Sequence, residues 1–546
     1  MKKITILFSA LNRVASRRAT WIHLQRFALL LFVISLATAR TRAGTHTWNG
    51  GSTDGRWSVG ANWDGNNPPA ANESPLHLVF PASATRRLAT NNIANITISS
   101  ITFDGAAYTI AGSGPGTNVT FDSSVGTAYW NVRALGGSGH TFHYSMNLAL
   151  DGTLEFNIAT NASVTLRSRL GASTAGSGLS KDGQGTVILD PIADNTFDGT
   201  TSILDGTLRL EGSHVEFGFN VMDVTIPGPL IIGGNSLAQH PTCVVWSGHQ
   251  ISDSSAVTVN PNGQLLLADV NDTIGSLTMA GGIVDTGNGT LTLNGNVQVL
   301  NPPSGTPSQI LGNLGLGNVG RFFTVETNAD LDMSAAISGG FFGNLPAGFI
   351  KNGPGWMNLL AYSNSFSGDV YVSAGTLTVT GPMQLGAGTN GTGVASNATL
   401  MLGGIGFGPT ISNEKLSLAS GAHLVGALDS AWNGPVELYG DAIVDVPSDG
   451  ITLTMGGVIS GVGSLRKIGD GDLEFTGLGG NTFTGGFTCV EGSTSFNKSA
   501  PAPALSGPLV VGKAGSSVWT TVSISQMNQI PNNLPITLSR SKICNP

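Results

Sequence analysis

The sequence predicts an all-β fold, a solenoid built from irregular repeats, and three observations predict it. Glycine supplies 77 of the 546 residues, about twice the usual share, whereas hydrophobic residues still make up 40% of the chain. Only 11% of the residues are Asp, Glu, Lys or Arg, against roughly 25% in an average soluble domain. The third observation is an internal repeat that occurs three times with nearly fixed offsets. Many short strands joined by glycine-rich turns account for all three.

Three repeat units lie near residues 178–212, 348–381 and 464–498. Each unit begins with Lys-x-Gly-x-Gly, continues with Asn-x-Phe-x-Gly and reaches a further glycine. The lysine and the asparagine are 14, 13 and 14 residues apart, and the phenylalanine and the last glycine are 9 residues apart each time. The repeat positions are Lys181, Gly183, Gly185, Asn195, Phe197, Gly199 and Gly206; Lys351, Gly353, Gly355, Asn364, Phe366, Gly368 and Gly375; and Lys467, Gly469, Gly471, Asn481, Phe483, Gly485 and Gly492.

Each unit has a physical interpretation as turns that alternate with strands. The Lys-x-Gly-x-Gly stretch predicts a turn whose glycines adopt positive φ, and a short alternating strand such as 186–189 follows it. We expect the asparagine to cap backbone groups locally and the phenylalanine to point into the core. About 30 residues therefore hold three or four strands, which is one solenoid turn or slightly more.

These units resemble the autotransporter-associated β-strand repeat of Gram-negative surface proteins, which combines Lys-x-Gly-x-Gly, Asn-x-Tyr/Phe-x-Gly and Gly-x-Leu. Residues 47–64 resemble the segment that precedes such repeats in large surface proteins. The resemblance implies a right-handed parallel β-helix that is exposed outside the cell. The C-terminal β-barrel and the sorting helix with a basic tail are not recognisable in this sequence. We therefore expect no membrane anchor of its own in this polypeptide.

The chain divides into three predicted segments. Residues 1–43 are interpreted as a signal peptide, because basic residues precede the apolar run 27–36 and small residues permit cleavage after Ala39 or Ala43. Residues 44–130 are predicted to be a Trp-containing N-terminal capping segment, and residues 131–546 are predicted to be the parallel β-helix. No later stretch has 18 consecutive apolar residues, so no transmembrane helix is predicted after the signal.

The last module is predicted to be truncated. It stops at Pro546, at a point where the first module continues through further strands. An uncapped turn exposes unpaired strand edges. The sequence therefore predicts self-association through the C-terminal edge.

The sequence predicts no cofactor, no metal site and no nucleic-acid partner. The net charge of −8 is dilute, and no cluster of Lys and Arg follows the first 45 residues. His140 and His143 form the closest histidine pair, but a spacing of three places them on opposite faces of a strand. Cys243, Cys489 and Cys544 are far apart, which leaves either buried free thiols or a single disulfide.

These patterns predict an exported, adhesive passenger or stalk at the cell surface, in the outer membrane or in the extracellular medium, with no catalysis of its own. Its partner is expected to be a surface ligand or glycan of unknown identity. The alternative is a carbohydrate-binding or polysaccharide-degrading β-helix, a lyase or a hydrolase.

Two sets of residues bear on the carbohydrate alternative. The tryptophans Trp48, Trp57 and Trp63 either cap the first turn or form a platform on which sugars stack. Hydrolysis needs two carboxylates about 5–10 Å apart. The acidic residues of the repeats, which occupy non-equivalent positions, are Asp198, Asp205, Asp369 and Asp472.

Overall fold

The structure, a computed structural model, describes residues 43–105, 107–114, 117–122, 132–137, 139–216, 219–234, 238–342, 345–387, 391–404, 406–499, 501–513, 520–539 and 541–544. The signal peptide predicted for residues 1–43 therefore lies outside the described residues, apart from Ala43. Within the described part, no helix is long and apolar enough to cross a membrane. The described helices are two short 3-10 turns, Gly60–Asn62 and Asp64–Asn66.

The chain is a β-solenoid in which short parallel strands stack in register over about 18 turns. Successive strands lie on three faces, which we call face one, face two and face three in the order in which the chain visits them. At a spacing of about 4.8 Å per turn, 18 turns give a rod roughly 80–90 Å long. The all-β solenoid that the sequence predicts is confirmed.

Face one is a sheet of 18 described strands, each paired in parallel with the next in chain order. Its strands are Gly44–Thr47, Leu76–Phe80, Ser100–Phe103, Val132–Ala134, Leu154–Ile158, Leu179–Asp182, Thr201–Ile203, Leu230–Ile232, Val257–Val259, Leu277–Met279, Val297–Val299, Arg321–Val325, Phe349–Asn352, Val370–Val372, Gly391–Val394, Lys415–Leu418, Val436–Leu438 and Ile459–Gly461.

Face two follows face one in each turn and is also parallel. Its strands are Leu88–Asn91, Thr109–Gly112, His140–Phe142, Ser163–Leu166, Thr186–Leu189, Thr207–Leu210, Thr242–Val245, Gln264–Leu267, Ile283–Leu293, Ser308–Gly315, Asp330–Met333, Trp356–Leu359, Thr376–Val379, Thr399–Leu402, His423–Gly426, Ala442–Asp445, Leu465–Ile468, Phe487–Cys489, Leu509–Val511 and Ile536–Leu538.

Face three closes each turn before the chain returns to face one. Its strands are Ile96–Ile98, Asn118–Asp122, Asn147–Asp151, Arg169–Ala172, Asp272–Ile274, Ala336–Ser338, Thr410–Ile411, Ser430–Trp432, Thr452–Met455, Asp472–Phe475, Ser493–Phe496, Thr520–Ile524 and Ser541–Cys544. The long strands Ile283–Leu293 and Ser308–Gly315 continue from face two around the corner onto face three, with a register shift between Asp285 and Thr290.

The core lies inside the coil because side chains alternate along each strand. In Leu154–Ile158 the first, third and fifth residues are buried and the others are half-buried. Register without slippage then stacks buried positions of successive turns on one another, as in Leu78, Ile101 and Val132. Each buried aliphatic side chain contributes about 1.5–3 kcal/mol, so stability accumulates turn by turn with few charges.

Among the described residues, parallel pairing is present from Gly44, earlier than the start at residue 131 that the sequence suggested. The strand Gly44–Thr47 pairs with Leu76–Phe80, and Ser100–Phe103 pairs across the expected boundary with Val132–Ala134. Residues 44–122 are therefore part of the same stack. The boundary near residue 130 was wrong because the strands of this segment lack the repeat motif that marks the later turns.

The third repeat is rotated by one face relative to the first two. The lysine strands Leu179–Asp182 and Phe349–Asn352 lie on face one, whereas Leu465–Ile468 pairs with Ala442–Asp445 on face two. The next strand, Asp472–Phe475, accordingly lies on face three. The motif thus fixes the local path of the chain, but the side of the rod on which it lies depends on the turns between repeats.

Two antiparallel hairpins interrupt the parallel stack. One pairs Ser213–Glu216 with Phe219–Met222, and the other pairs Phe341–Phe342 with Leu345–Pro346. The first hairpin leaves the coil directly after face two. Insertions of this kind place extra surface on one side of a solenoid.

Candidate functional site

The repeat lysines are buried braces between successive turns. Nζ of Lys351 lies 3.2 and 2.8 Å from the carbonyl oxygens of Asn352 and Gly353 in its own turn. It lies 2.9 Å from the carbonyl oxygen of Ala374 in the next turn. The lysines of the other two repeats make equivalent contacts, Lys181 with Asp182, Gly183 and Asp205, and Lys467 with Gly469, Gly471 and Glu491.

This arrangement satisfies the three donors of an ammonium group with backbone carbonyls. Burial lowers the pKa of Lys181 and that of Lys351 to about 8. The negative charges of Asp205 and Asp182 oppose this shift at Lys181. The carbonyl dipoles favour the charged form and offset part of that burial cost. Sequence reasoning placed these lysines in a turn but did not predict their burial.

The glycines of the motif serve two different needs. Gly183 has φ of 73°, as a turn glycine should. Gly185 does not have positive φ, but a Cβ there would lie 2.3 Å from the carbonyl oxygen of Ala159 in the preceding turn. The predicted positive φ is therefore correct for the first glycine, whereas the second is required by close approach between turns.

The repeat asparagines bridge turns instead of capping locally. Oδ1 of Asn364 accepts a hydrogen bond from the backbone N–H of Ile337 in the preceding turn, at 2.8 Å. Its Nδ2 donates to the carbonyl oxygen of Gln384 in the next turn, at 2.5 Å. Asn195 and Asn481 make the same pair of contacts, with Leu170 and Thr225 and with Ile459 and Ala504. Each buried amide thus joins three turns.

The repeat phenylalanines point into the coil, as the sequence predicts. Phe197 is 1% exposed, and Phe366 and Phe483 are fully buried. The ring of Phe366 lies 5.5 Å from that of Phe349 in an edge-to-face arrangement. Lysine, asparagine and phenylalanine are therefore all used to hold the coil together, and the repeat motif itself presents no chemistry to solvent.

A polar and aromatic corner lies where face two meets face three, over four successive turns. We call it the Trp246 corner, and it comprises Arg167, Asp190, Arg209, Glu211 and Trp246. The backbone N–H groups of Arg167, Asp190, Glu211 and Trp246 each donate a hydrogen bond to a carbonyl oxygen on the face-two strand of the preceding turn. These four residues are therefore stacked one above another. Sequence reasoning missed it, because its members lie 23, 21 and 35 residues apart along the chain.

The side chains of the Trp246 corner form ion pairs around an exposed ring. Nε of Arg167 lies 3.1 Å from Oδ2 of Asp190, and Arg209 pairs with Glu211. The guanidinium carbon of Arg209 lies 4.1 Å from the centre of the Trp246 ring, which is 52% exposed. Burial raises the pKa of both carboxyls, and the adjacent arginines oppose that shift.

The three tryptophans near the N-terminus are buried together. Trp48 and Trp57 are fully buried and Trp63 is 1% exposed. The Trp48 and Trp63 rings meet edge to face at 5.0 Å, and all three rings pack around Phe80. The sugar-stacking alternative is wrong for these positions, because no ring face is open to a ligand.

Comparison with known proteins identifies the repeats. Residues 179–210, 349–379 and 465–492 each match the model of the passenger-associated-transport-repeat family. These matches coincide with the three units found in the sequence. The three repeats are therefore similar to passenger-associated-transport repeats, and the chain is similar to the passengers of autotransporters.

A protein that is named as an adhesin also matches part of the chain. The "Adhesin BmaC autotransporter" of Brucella suis biovar 1 (strain 1330) is 34% identical over 144 residues. The match spans 26% of this chain and 4% of that adhesin. No solved structure matches the chain.

The acidic residues of the three repeats accept hydrogen bonds from the same turn or from an adjacent turn. Asp198 accepts from the backbone N–H of Gly176 at 2.8 Å, and Asp369 accepts from that of Gly391 at 2.9 Å. Asp205 and Asp472 bind Gly206 and Ser493. None of these contacts pairs one of the four carboxylates with another.

His140 and His143 differ in burial, and the three cysteines are not bonded to one another. His140 is buried and stacks on Phe103 at 4.5 Å, whereas His143 is half-buried. Cys243, Cys489 and Cys544 are free thiols. Among the residues that the structure describes, no group of three or more His, Cys, Asp or Glu is placed to hold a metal ion.

One buried carboxyl gives the coil a pH dependence. Glu414 is 2% exposed and accepts a hydrogen bond from Oγ1 of Thr392 at 2.7 Å. Burial raises its pKa to about 7, which Thr392 opposes and the nearby Asp369 reinforces. The folded chain therefore holds this proton more tightly than the unfolded chain, whose glutamate titrates near 4.5.

We predict that the turns around Glu414 lose about 2–3 kcal/mol of stability as the pH rises from about 4.5 to about 7. Hydrogen-exchange protection factors of Gly391–Val394 and Lys415–Leu418, measured at pH 5 and pH 7.5, should fall across this range. In Glu414→Gln, which keeps the shape and cannot titrate, the fall should disappear. A wild-type protection factor that rises with pH would contradict the prediction.

Proposed function

We propose that this chain is displayed outside a Gram-negative cell as an adhesive stalk with no catalysis of its own. The observation that supports it is the placement of the passenger-associated-transport repeats within one parallel coil, with their lysines, asparagines and phenylalanines buried. Such repeats build a rod and leave the outward-facing side chains free to vary. An extended rod with a variable outer surface suits presentation and binding at a distance from a cell.

The adhesive part of the proposal draws on the relative named an adhesin and on the composition of the outer surface. Large exposed side chains are spread along the rod, among them Trp246, Trp356 and Tyr371. Exposed aromatic side chains are enriched where proteins bind partners. In contrast, the carboxylates considered for hydrolysis accept hydrogen bonds from groups in the same turn or in an adjacent turn of the coil.

Adhesion is tested with beads that carry the purified full chain. Retention under flow is measured on mucin, on collagen and on cultured epithelial cells, with albumin-coated beads as the blank. A double variant, Phe366→Ala with Phe483→Ala, serves as the control with a disrupted coil. We expect retention on at least one surface that exceeds the albumin blank and that the double variant loses.

Catalysis is tested on the same preparation with a panel of soluble polysaccharides. We expect neither new reducing ends, which hydrolysis would release, nor unsaturated sugar ends, which a lyase would form. Beads that behave like the albumin blank on every surface would contradict the adhesive role. Release of either product would replace it with the polysaccharide-degrading alternative.

A further inference from the structure

We propose that the Trp246 corner binds an oligosaccharide; this inference rests on the proposed adhesive function and names the ligand class of one site on the rod. A sugar offers two kinds of surface, C–H groups on a face of the pyranose ring and hydroxyls around its edge. A site for it needs an open aromatic face beside fixed charged groups that donate and accept hydrogen bonds. The Trp246 corner supplies both.

The aromatic part is Trp246. Half of this large side chain is exposed to water, although the neighbouring positions Val245 and Cys243 on its strand are fully buried. Arg209 lies against the ring at 4.1 Å and restrains it. In the next turn, the residue that follows the strand at the same position is Ala268, which is too small to cover the indole. A pyranose ring could therefore stack on the uncovered part of Trp246.

The charged part is fixed before any ligand arrives. The Arg167–Asp190 pair joins two adjacent turns, and the Arg209–Glu211 pair lies within one turn. Ion-paired arginines and carboxylates keep unused donors and acceptors, since a guanidinium has five donors and a carboxylate has about four lone-pair sites. Such preorganised groups form hydrogen bonds to vicinal hydroxyls with little ordering cost.

An inserted hairpin marks the same place in the coil. The hairpin Ser213–Glu216 with Phe219–Met222 begins two residues after Glu211 and ends directly before Asp223. It extends the turn that separates Arg209 from Trp246. Met222, at its base, is 40% exposed. Insertions in solenoids concentrate on binding faces.

The opposite edge of face three carries a groove over three successive turns that also pass through this corner. The groove is shallow and open to solvent, with a volume of about 590 Å³. It is lined by Asn195, Thr196, Phe197, Asp198, Pro227, Gly228, Pro229, Ser254, Ser255 and Ala256. The corner and the groove therefore border the same part of face three, which gives an oligosaccharide of several units room to extend beyond the sugar on Trp246.

The inference is tested with the purified full chain on a glycan microarray that carries neutral, amino-sugar and acidic oligosaccharides. The glycan retained most strongly is then titrated by calorimetry against the wild type, Trp246→Ala and Trp246→Phe. The control is Trp356→Ala, since Trp356 is also a half-exposed tryptophan at 44% and lies five turns further along face two. Circular dichroism confirms that each variant folds.

We expect retention of at least one glycan, with affinity at least about tenfold weaker for Trp246→Ala. Trp246→Phe should lose less, because it keeps an aromatic face, and Trp356→Ala should match the wild type. Retention of no glycan would overturn the inference. So would equal affinity of Trp246→Ala and wild type.

The bead assay separates this inference from the proposed function. If Trp246→Ala beads attach as well as wild-type beads, adhesion stands and the Trp246 corner is not its site. If wild-type beads attach to no surface while the array shows Trp246-dependent binding, the sugar site stands and the adhesive role fails. Loss of both readouts in the wild type removes both proposals.

Discussion

Phe366→Ala is expected to destabilise its own turns by about 3–5 kcal/mol, the usual cost of emptying a buried aromatic site. Phe366 is fully buried and packs on Phe349 of the adjacent lysine strand. Because each turn contacts only its neighbours, the damage should stay local. Hydrogen exchange of Phe349–Asn352 and Ala336–Ser338 should accelerate, whereas that of Leu76–Phe80 should not change.

The matched control for this substitution is Tyr362→Ala. Tyr362 is an aromatic residue of the same turn, four positions away, and it is 86% exposed. Its removal should leave exchange unchanged within about 0.5 kcal/mol. Exchange that rises uniformly along the chain in Phe366→Ala would show that the coil unfolds as one unit, against this account.

Lys351→Met is expected to cost about 2–4 kcal/mol, a large effect for a substitution that removes a buried charge. Methionine keeps the length and apolar stem of the side chain, but the carbonyls of Asn352, Gly353 and Ala374 lose their donor. Each orphaned buried carbonyl costs about 1–3 kcal/mol, and relief from burying the ammonium offsets part of the sum. Local hydrogen exchange of the two joined turns measures the loss.

Lys415→Met is the matched control for the buried lysine. Lys415 is a half-exposed lysine, and its Nζ lies 2.7 Å from Oε2 of Glu437. Water screens a surface ion pair of this kind, so this variant should be nearly as stable as the wild type. If Lys351→Met were as stable as the wild type or more stable, the repeat lysine would be a burden on the coil and not a brace.

The sequence was sufficient to predict the coil and the inward phenylalanines, because both follow from short-range pattern. In a stacked fold, a strand of alternating residues turns its apolar side chains inward, and the glycines occupy the turns. A phenylalanine at a fixed offset then points into the core in each repeat. The asparagine was misread as a local cap for a physical reason. Its partners Ile337 and Gln384 lie in other turns, at sequence distances that no local rule contains.

Burial of the repeat lysines had a signal in the sequence that was overlooked. In a chain with only 25 Lys and Arg, a lysine recurs at the same place in all three units, between residues that alternate inward and outward. Lys181 occupies an inward position of Leu179–Asp182, with Leu179 on the same side. An inward lysine in a repeating strand indicates acceptors inside the coil.

Features that depend on the number of residues in each turn could not be predicted from the sequence. The rotation of the third repeat and the assembly of the Trp246 corner both follow from turns of unequal length. An inserted hairpin lengthens the turn between Glu211 and Trp246. Because of this extra length, the spacing of the two residues in the sequence does not indicate that they stack. Long-range register is decided by packing of whole turns and not by local propensity.

The measurement that tests the stacked coil most directly is the distance between two outward positions of face one that are far apart in sequence. Ser180 and Asn352 are 172 residues apart, yet seven register steps join them. At about 4.8 Å per step their backbones should be roughly 34 Å apart. Nitroxide labels at Ser180→Cys and Asn352→Cys, in a chain whose native cysteines are replaced by alanine, report this distance by pulsed electron resonance. The coil predicts one narrow distribution near that value; a broad distribution, or one centred beyond about 50 Å, would contradict it.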